Sequence, residues 1–255
     1  MQDVMHMLGT GQFWLDVLKI IIIDLLLSGD NAVVIALACR GLPEAQRKQG
    51  IFYGVVGAIG LRITLTFFAV SLLALPYLKV AGAAMLLWIG IKLILPDEEH
   101  DASNVKANAH LWGAVRTILI ADFIMSLDNV LGVAAAAHGN VLLLAIGLLV
   151  SIPLVAWSSQ LVLKLIDRFP FIIYLGGGLL GYVAGEMVVS DKTVAHFVEQ
   201  LPAVLHWVIP VAGAVLVVVV GKLLALRKMA AAKAVDLVDA QVPAARNDSH
   251  EEGGK

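Results

Sequence analysis

Two short stretches of this chain hold the residues that could do chemistry. Asp24-Leu-Leu-Leu-Ser28-Gly29-Asp30-Asn31 recurs as Asp122-Phe-Ile-Met-Ser126-Leu127-Asp128-Asn129, the same D-x-x-x-S-x-D-N pattern displaced by 98 positions. Carboxylates, an Asn amide and a Ser hydroxyl are all oxygen donors, a set that suits Mg, Ca or Mn better than soft metals. Both stretches lie inside long apolar runs, and Arg62 lies inside a third. An ionised side chain at the centre of a membrane helix costs about 2.5–3.5 kcal/mol, so four buried acids cost on the order of 10 kcal/mol if nothing compensates them. One arginine cannot neutralise Asp24, Asp30, Asp122 and Asp128 together. Protons, a bound cation or both must supply the rest.

The elements that position these residues follow from composition. The 255-residue chain is 60% hydrophobic and 15% charged, against about 45–50% and 25% in a soluble domain. A span of the hydrocarbon core needs about 20 mostly apolar residues. Seven such runs occur, at Trp14–Ala38, Ile51–Leu75, Tyr77–Leu95, Trp112–Ala137, Val141–Leu163, Phe171–Val189 and Ala203–Leu226. Each is expected to be a helix, because only a helix satisfies its backbone polar groups within one apolar segment. The expected class is therefore an all-α polytopic membrane protein.

The recurrence divides these runs. Residues 13–95 form a first three-helix unit, 96–111 a polar loop, and 112–189 a second unit; 203–226 is a seventh span and 227–255 a tail whose end, from Asn247, is expected to be disordered. Weaker echoes support the division: Ala58-Ile-Gly-Leu61 matches Ala145-Ile-Gly-Leu148, and Gly82 with Trp88 aligns with Gly176 and Tyr182. Three spans per unit is odd, so the second unit must insert upside down, the inverted-repeat plan of many secondary transporters. Arg40, Arg47, Lys48, Lys106, Lys164, Arg168, Arg227, Lys228 and Lys233 collect on one side, against little beyond Lys79 and Lys192 on the other. By the positive-inside rule the first side is cytoplasmic, leaving the N-terminus outside.

Geometry sharpens the site. On an unbroken helix Asp24, Ser28 and Asn31 share a face, while Asp30 points about 120° away. Gly29 offers a place to unwind, turning Asp30 inward and freeing backbone carbonyls. The second motif has Leu127 there, so a break is less expected. No span places Cys or His at its centre, which argues against copper(I) or a thiolate zinc site. The single cysteine, Cys39, also excludes an intrachain disulfide framework. A net charge of −2 without a basic block gives no reason to expect nucleic acid. The structural alternative is that the acids only pair with Arg62 or with polar neighbours and hold the bundle together, as polar residues between membrane helices do.

These residues also carry a resemblance. The SGDN and SLDN stretches, the Asp six residues upstream of each, Gly-Leu-Arg62 and Leu-Trp-Ile-Gly-Ile-Lys92 resemble the TerC family, in its seven-span YjbE-type branch within the LysE-type exporter superfamily. The resemblance covers about Phe13 to Leu226. It implies a bacterial inner-membrane protein, not an enzyme, that exports manganese. It implies Asp24, Asp30, Asn31, Asp122, Asp128 and Asn129 as metal ligands, with Ser28, Ser126 and Arg62 in support. No cofactor is implied beyond the transported divalent cation, and no partner beyond membrane lipid. Two other classes compete. A proton-coupled exporter of small solutes of the amino-acid type could use the acids as a relay. An intramembrane aspartyl protease needs two buried acids sharing a proton, but Leu27 replaces the first Gly of its G-x-G-D element and four symmetric acids exceed a dyad.

Overall fold

A computed structural model describes residues 11–27, 29–73, 75–96, 104–136, 141–191, 193–194 and 204–241. The described residues form eight helices: α1 (Gly11–Leu27), α2 (Gly29–Cys39), α3 (Glu44–Leu73), α4 (Leu78–Ile94), α5 (Asn104–Ala136), α6 (Val141–Arg168), α7 (Ile172–Ser190) and α8 (Leu205–Gln241). The all-α architecture follows from the apolar runs. Among the described residues α3, α5, α6, α7 and α8 are each long and apolar enough to cross a membrane, and α1 with α2, bent by 55°, makes a sixth if the pair is one span, against the seven runs expected. α4, with 17 residues, is at the short end of the range for a span.

The first run breaks between Leu27 and Gly29. The equivalent point of α5 is uninterrupted, since Leu127 lies within a continuous 33-residue helix. Helix and hydropathy part company at two other places. α5 begins at Asn104, inside the stretch expected to be a polar loop, and α8 continues past Leu226 to Gln241. The Ala-, Lys- and Leu-rich sequence after Leu226 has high intrinsic helix propensity without being apolar. The segments 97–103 and 242–255 lie outside the described residues, and with them the expected disorder of the end.

Packing has a regular logic. The broken first span lies against α6, α3 lies against α5, and α4 lies against α7. Exchanging the first three spans for the second three turns the first of these pairings into the second and leaves the third in place. α8 packs on α7 and α4 as an addition to this set. The weaker sequence echo does not share this correspondence. Gly60 is exposed whereas its partner Gly147 is buried against Ile20, and Arg62 is buried whereas Leu149 is exposed. A shift of one residue rotates a helical position by about 100°, so a four-residue match can recur on opposite faces.

The core is a continuous apolar cluster in which Ile20, Leu37, Ile51, Leu86, Ile118 and Leu148 are almost fully buried. The opposite faces are also apolar: Leu18, Phe67, Trp157, Leu161, Val215 and Leu223 are all exposed. Helices apolar on both faces belong in lipid. Exposed Trp14, Tyr77 and Trp207 sit near helix ends, and exposed Trp112 near the start of the apolar part of α5, where interfacial aromatic belts form. At the basic end, Arg47 fixes the α2–α3 turn. Its guanidinium donates to Asp167 Oδ2 at 2.7 Å, to the Arg40 carbonyl at 2.9 Å and to the Leu42 carbonyl at 3.1 Å. At the other end Lys19 pairs with Asp16 at 2.8 Å, one turn away on its own helix.

Candidate cation site

The break in the first span and the packing of α3 on α5 bring the chemistry together. Arg62 projects from α3 between the two motif helices and is only 3% exposed. One of its terminal nitrogens, Nη1, donates to Asp24 Oδ1 on α1, and the other, Nη2, donates to Asp122 Oδ1 on α5 at 2.9 Å. Its Nε donates to Ser126 Oγ at 3.1 Å, and that hydroxyl donates onward to Asp122 Oδ2 at 3.2 Å. Asp122 and Ser126 can cooperate because they are i and i+4 on an unbroken helix. Asn31, beyond the break, donates through Nδ2 to Asp122 Oδ1 at 2.9 Å. One guanidinium thus ties the Asp of the first motif to the Asp and Ser of the second, and the Asn of the first motif reaches the same carboxylate.

These five side chains are all buried in the described structure. Leaving such charges unmatched would cost several kcal/mol each, so the arginine between two acids is the minimum that the burial requires. Two carboxylates and one guanidinium sum to −1. Among the described residues Asn31 Oδ1 has no hydrogen-bond partner. Asn31 borders a cavity of about 20 Å³ that Asp24, Arg62 and Asp122 also line, with apolar walls from α2, α3 and α6. A cavity of this size admits about one water-sized occupant.

The remaining predicted residues are placed differently. Asp30 is half-buried in the first turn of α2, and its Oδ1 accepts the backbone N–H of Asn31 at 2.9 Å. A carboxylate there complements the positive end of the half-helix. The last carbonyls of α1 lie beside the break and have no donor within their own helix. Asn129 is half-buried on α5, seven residues beyond Asp122 and so on the same face. Ser28 and the side chain of Asp128 lie outside the described residues. Among the described residues no three His, Cys, Asp or Glu side chains are grouped closely enough to hold a metal ion. The acids that gather are Asp24 and Asp122, and amide and hydroxyl oxygens complete the donor set.

One polar residue escaped the sequence reading. Asp191, just past the end of α7, is buried and accepts the backbone N–H of Lys79 at 3.2 Å and that of Thr193 at 2.9 Å. It joins the turn after α7 to the start of α4. Burial raises its carboxyl, but hydrogen bonds from Thr193, Val80 and Lys79 outweigh this and hold it below the usual aspartate range. No local signal could have revealed it, because its partner on α4 is 112 residues away.

Residues 9–229 match the family model described as the integral membrane protein TerC family. Over 188 residues the chain is 47% identical to the uncharacterized membrane protein YjbE of Bacillus subtilis, covering 74% of this chain and 85% of that protein. It is 31% identical to the uncharacterized membrane protein YceF of the same organism, over 68% of this chain and 70% of that one. The inner membrane protein YgdQ of Escherichia coli is 21% identical over 70% of this chain and 81% of its own length. No solved structure matches the chain.

Proposed function

As this chain belongs to the TerC family of integral membrane proteins, we propose that it is a transporter in the bacterial plasma membrane that exports a hard divalent cation, manganese in the first instance. The observation that supports this most directly is the cavity between the two motifs. It is lined by Asp24 and Asp122, buried on different helices, and by Asn31, whose amide oxygen has no hydrogen-bond donor among the described residues. It also has room for about one water-sized particle. A dehydrated divalent ion needs that environment and a water molecule alone does not explain the charge.

Arg62 stands in this scheme for the ion. Its guanidinium bridges Asp24 and Asp122, and when a metal binds with Asp30, Asp128 and carbonyl oxygens from the broken span it releases the two carboxylates while staying within the buried region. With all four acids ionised the site sums to −3, and a divalent ion leaves −1. A buried site at −1 favours taking up a proton, so release is coupled to protonation and export runs as proton antiport. Inverted halves related by an axis in the membrane plane would exchange access to the two sides by rocking about this point. The repeat also pairs Asn129 with Asp24 as the counterpart of Asn31 with Asp122. The basic end faces the cytoplasm, and the N-terminus lies outside.

Metal export from cells and metal-driven transport in proteoliposomes test the reading, using the wild type, Asp30→Asn and Asp128→Asn, each first shown to insert and fold. Loss of manganese export in both variants, and a wild-type rate that follows an imposed pH gradient, are the expected results. Near-normal export by both variants would end the claim that the paired motifs form the site. Cellular metal content that does not respond to the protein at all would favour the small-solute exporter instead.

A further inference from the structure

The buried cavity is not isolated. A second cavity of about 10 Å³ shares Asn31, Ile35 and Asp122 with it and adds Val34 and Ile118. A third, of about 200 Å³, is lined by Leu37, Ala38, Ala114 and Thr117 and reaches Arg40 and His110 at the basic end. The lining residues step along two helices in register. On α2 they run Asn31, Val34 with Ile35, then Leu37 with Ala38; on α5 they run Asp122, Ile118, then Ala114 with Thr117. Steps of three and four residues keep to one face of a helix, so all three cavities lie on a single seam between α2 and α5.

We propose that this seam is the route between the buried acids and the basic end, and that Ile118 and Leu37 are the side chains that close it. The inference rests on the transport reading above, and it adds the path and the gate. Ile118 lines the second cavity and Leu37 the third, and both are almost fully buried, at 1% and 2% exposure. Each also occupies a notch made by a glycine on a neighbouring helix. A Cβ built on Gly54 of α3 would fall 2.6 Å from Ile118 Cδ1, and one built on Gly176 of α7 would fall 2.7 Å from Leu37 Cδ1. The glycines therefore set how far the two side chains can retract from each other across the seam. An apolar layer of this kind gates by excluding water, and it opens when its side chains move apart.

Thiol labelling tests this without requiring transport. In a Cys39→Ala background, Thr117→Cys, Val34→Cys and the lipid-facing Val150→Cys are reconstituted in vesicles of known orientation. Each is treated with a charged, membrane-impermeant methanethiosulfonate from one side at a time. Thr117→Cys should react from the basic end, and Val34→Cys should react about tenfold more slowly from that side because the dry layer intervenes. Val150→Cys should stay unlabelled. Adding Ile118→Ala should bring Val34→Cys to nearly the rate of Thr117→Cys, and the milder Ile118→Val should shift it in the same direction if the alanine variant does not fold. Gly54→Ala, which displaces Ile118 from its notch, should also change the Val34→Cys rate. The proposal is overturned if Val34→Cys reacts as fast as Thr117→Cys from the start. It is equally overturned if Ile118 substitutions leave the slow rate unchanged, or if labelling comes only from the opposite face. A labelling ladder as expected, alongside metal export that fails, would leave the route standing and remove only the metal substrate.

Discussion

Replacing Arg62 by glutamine separates a structural arginine from one that substitutes for a cation. Arg62, Asp24 and Asp122 are 3%, 1% and 5% exposed, so the guanidinium is screened by protein and lipid and hardly at all by water. Removing one partner from a buried ion pair costs about 3–5 kcal/mol, because a charge is left without compensation. Here two carboxylates lose their common partner, and the described site passes from −1 to −2. For a chain of this size that corresponds to a fall in Tm on the order of 10 °C. Gln keeps enough length to donate one hydrogen bond to Ser126 Oγ or to one acid, which softens the loss and does not abolish it.

The consequence that distinguishes the readings is the response to metal. A site at −2 matches a divalent ion, so Arg62→Gln should bind manganese more tightly than the wild type. A ligand at about 100 times its Kd restores about 2.7 kcal/mol to the folded state. Thermal unfolding of detergent-solubilised protein, followed by tryptophan fluorescence with chelator and then with manganese or magnesium, reads both effects. The variant should melt well below the wild type in chelator and recover most of the difference in metal. Arg62→Gln combined with Asp122→Asn returns the site to −1 and should recover stability without metal, a coupling that neither substitution shows alone. If Arg62→Gln melts within about 2 °C of wild type in chelator, or gains no more from metal than wild type does, the exchange of arginine for metal is wrong.

Other outcomes follow from particular contacts. Gly181 of α7 meets Gly213 of α8 backbone to backbone, and a Cβ on Gly181 would overlap the Gly213 carbonyl oxygen and fall 2.9 Å from Ala214 Cα. Backbone cannot retreat as a side chain can, so Gly181→Ala should destabilise by about 1–3 kcal/mol in thermal unfolding, while Gly60→Ala, whose Cβ meets nothing within 4 Å, should not. Asp191 has its carboxyl held low in the folded protein, so the stability it adds is full above the ordinary aspartate pKa of about 3.9. That contribution is lost as pH falls through the lower native value; the Tm gap between wild type and Asp191→Asn should be constant near neutrality and close in acid, and a gap that persists would count against the assignment. A reporter active only in the cytoplasm should work when fused after Lys228 and stay silent when inserted near His138–Asn140, and the reverse at both sites would invert the proposed orientation.

How far the sequence alone reaches depends on which physical rule governs each feature. Because lipid punishes an unpaired backbone group wherever it lies, hydropathy gave seven crossings, of which five to six are long and apolar enough among the described residues. It ended the last helix too early, at Leu226, because a helix leaving the membrane no longer needs apolar residues and only needs residues such as Ala and Lys that tolerate the helical backbone. The interruption of the first run before Gly29 was legible for the same local reason, and so was its absence at Leu127, but Asp30, expected to turn inward, stays half-buried at the head of α2. The Ala-Ile-Gly-Leu echo misled, since it compared letters without comparing faces.

Charge bookkeeping performed differently from geometry. It required only that the intramembrane acids be compensated; Arg62 lies between Asp24 and Asp122, the pairing that the structural alternative also expected. It could not choose among four acids, because −3 is reached by any arrangement that gathers them. That choice was made by packing: α3 carries Arg62 against α5, and the bend after Leu27 sets Asn31 within 2.9 Å of Asp122 while leaving Asp30 at the head of its half-helix. Asn31 is the instructive case. A glutamine there would reach further, and an aspartate could not donate to Asp122 at all. The short amide of Asn31 satisfies one carboxylate with its nitrogen and leaves an oxygen without a hydrogen-bond donor among the described residues.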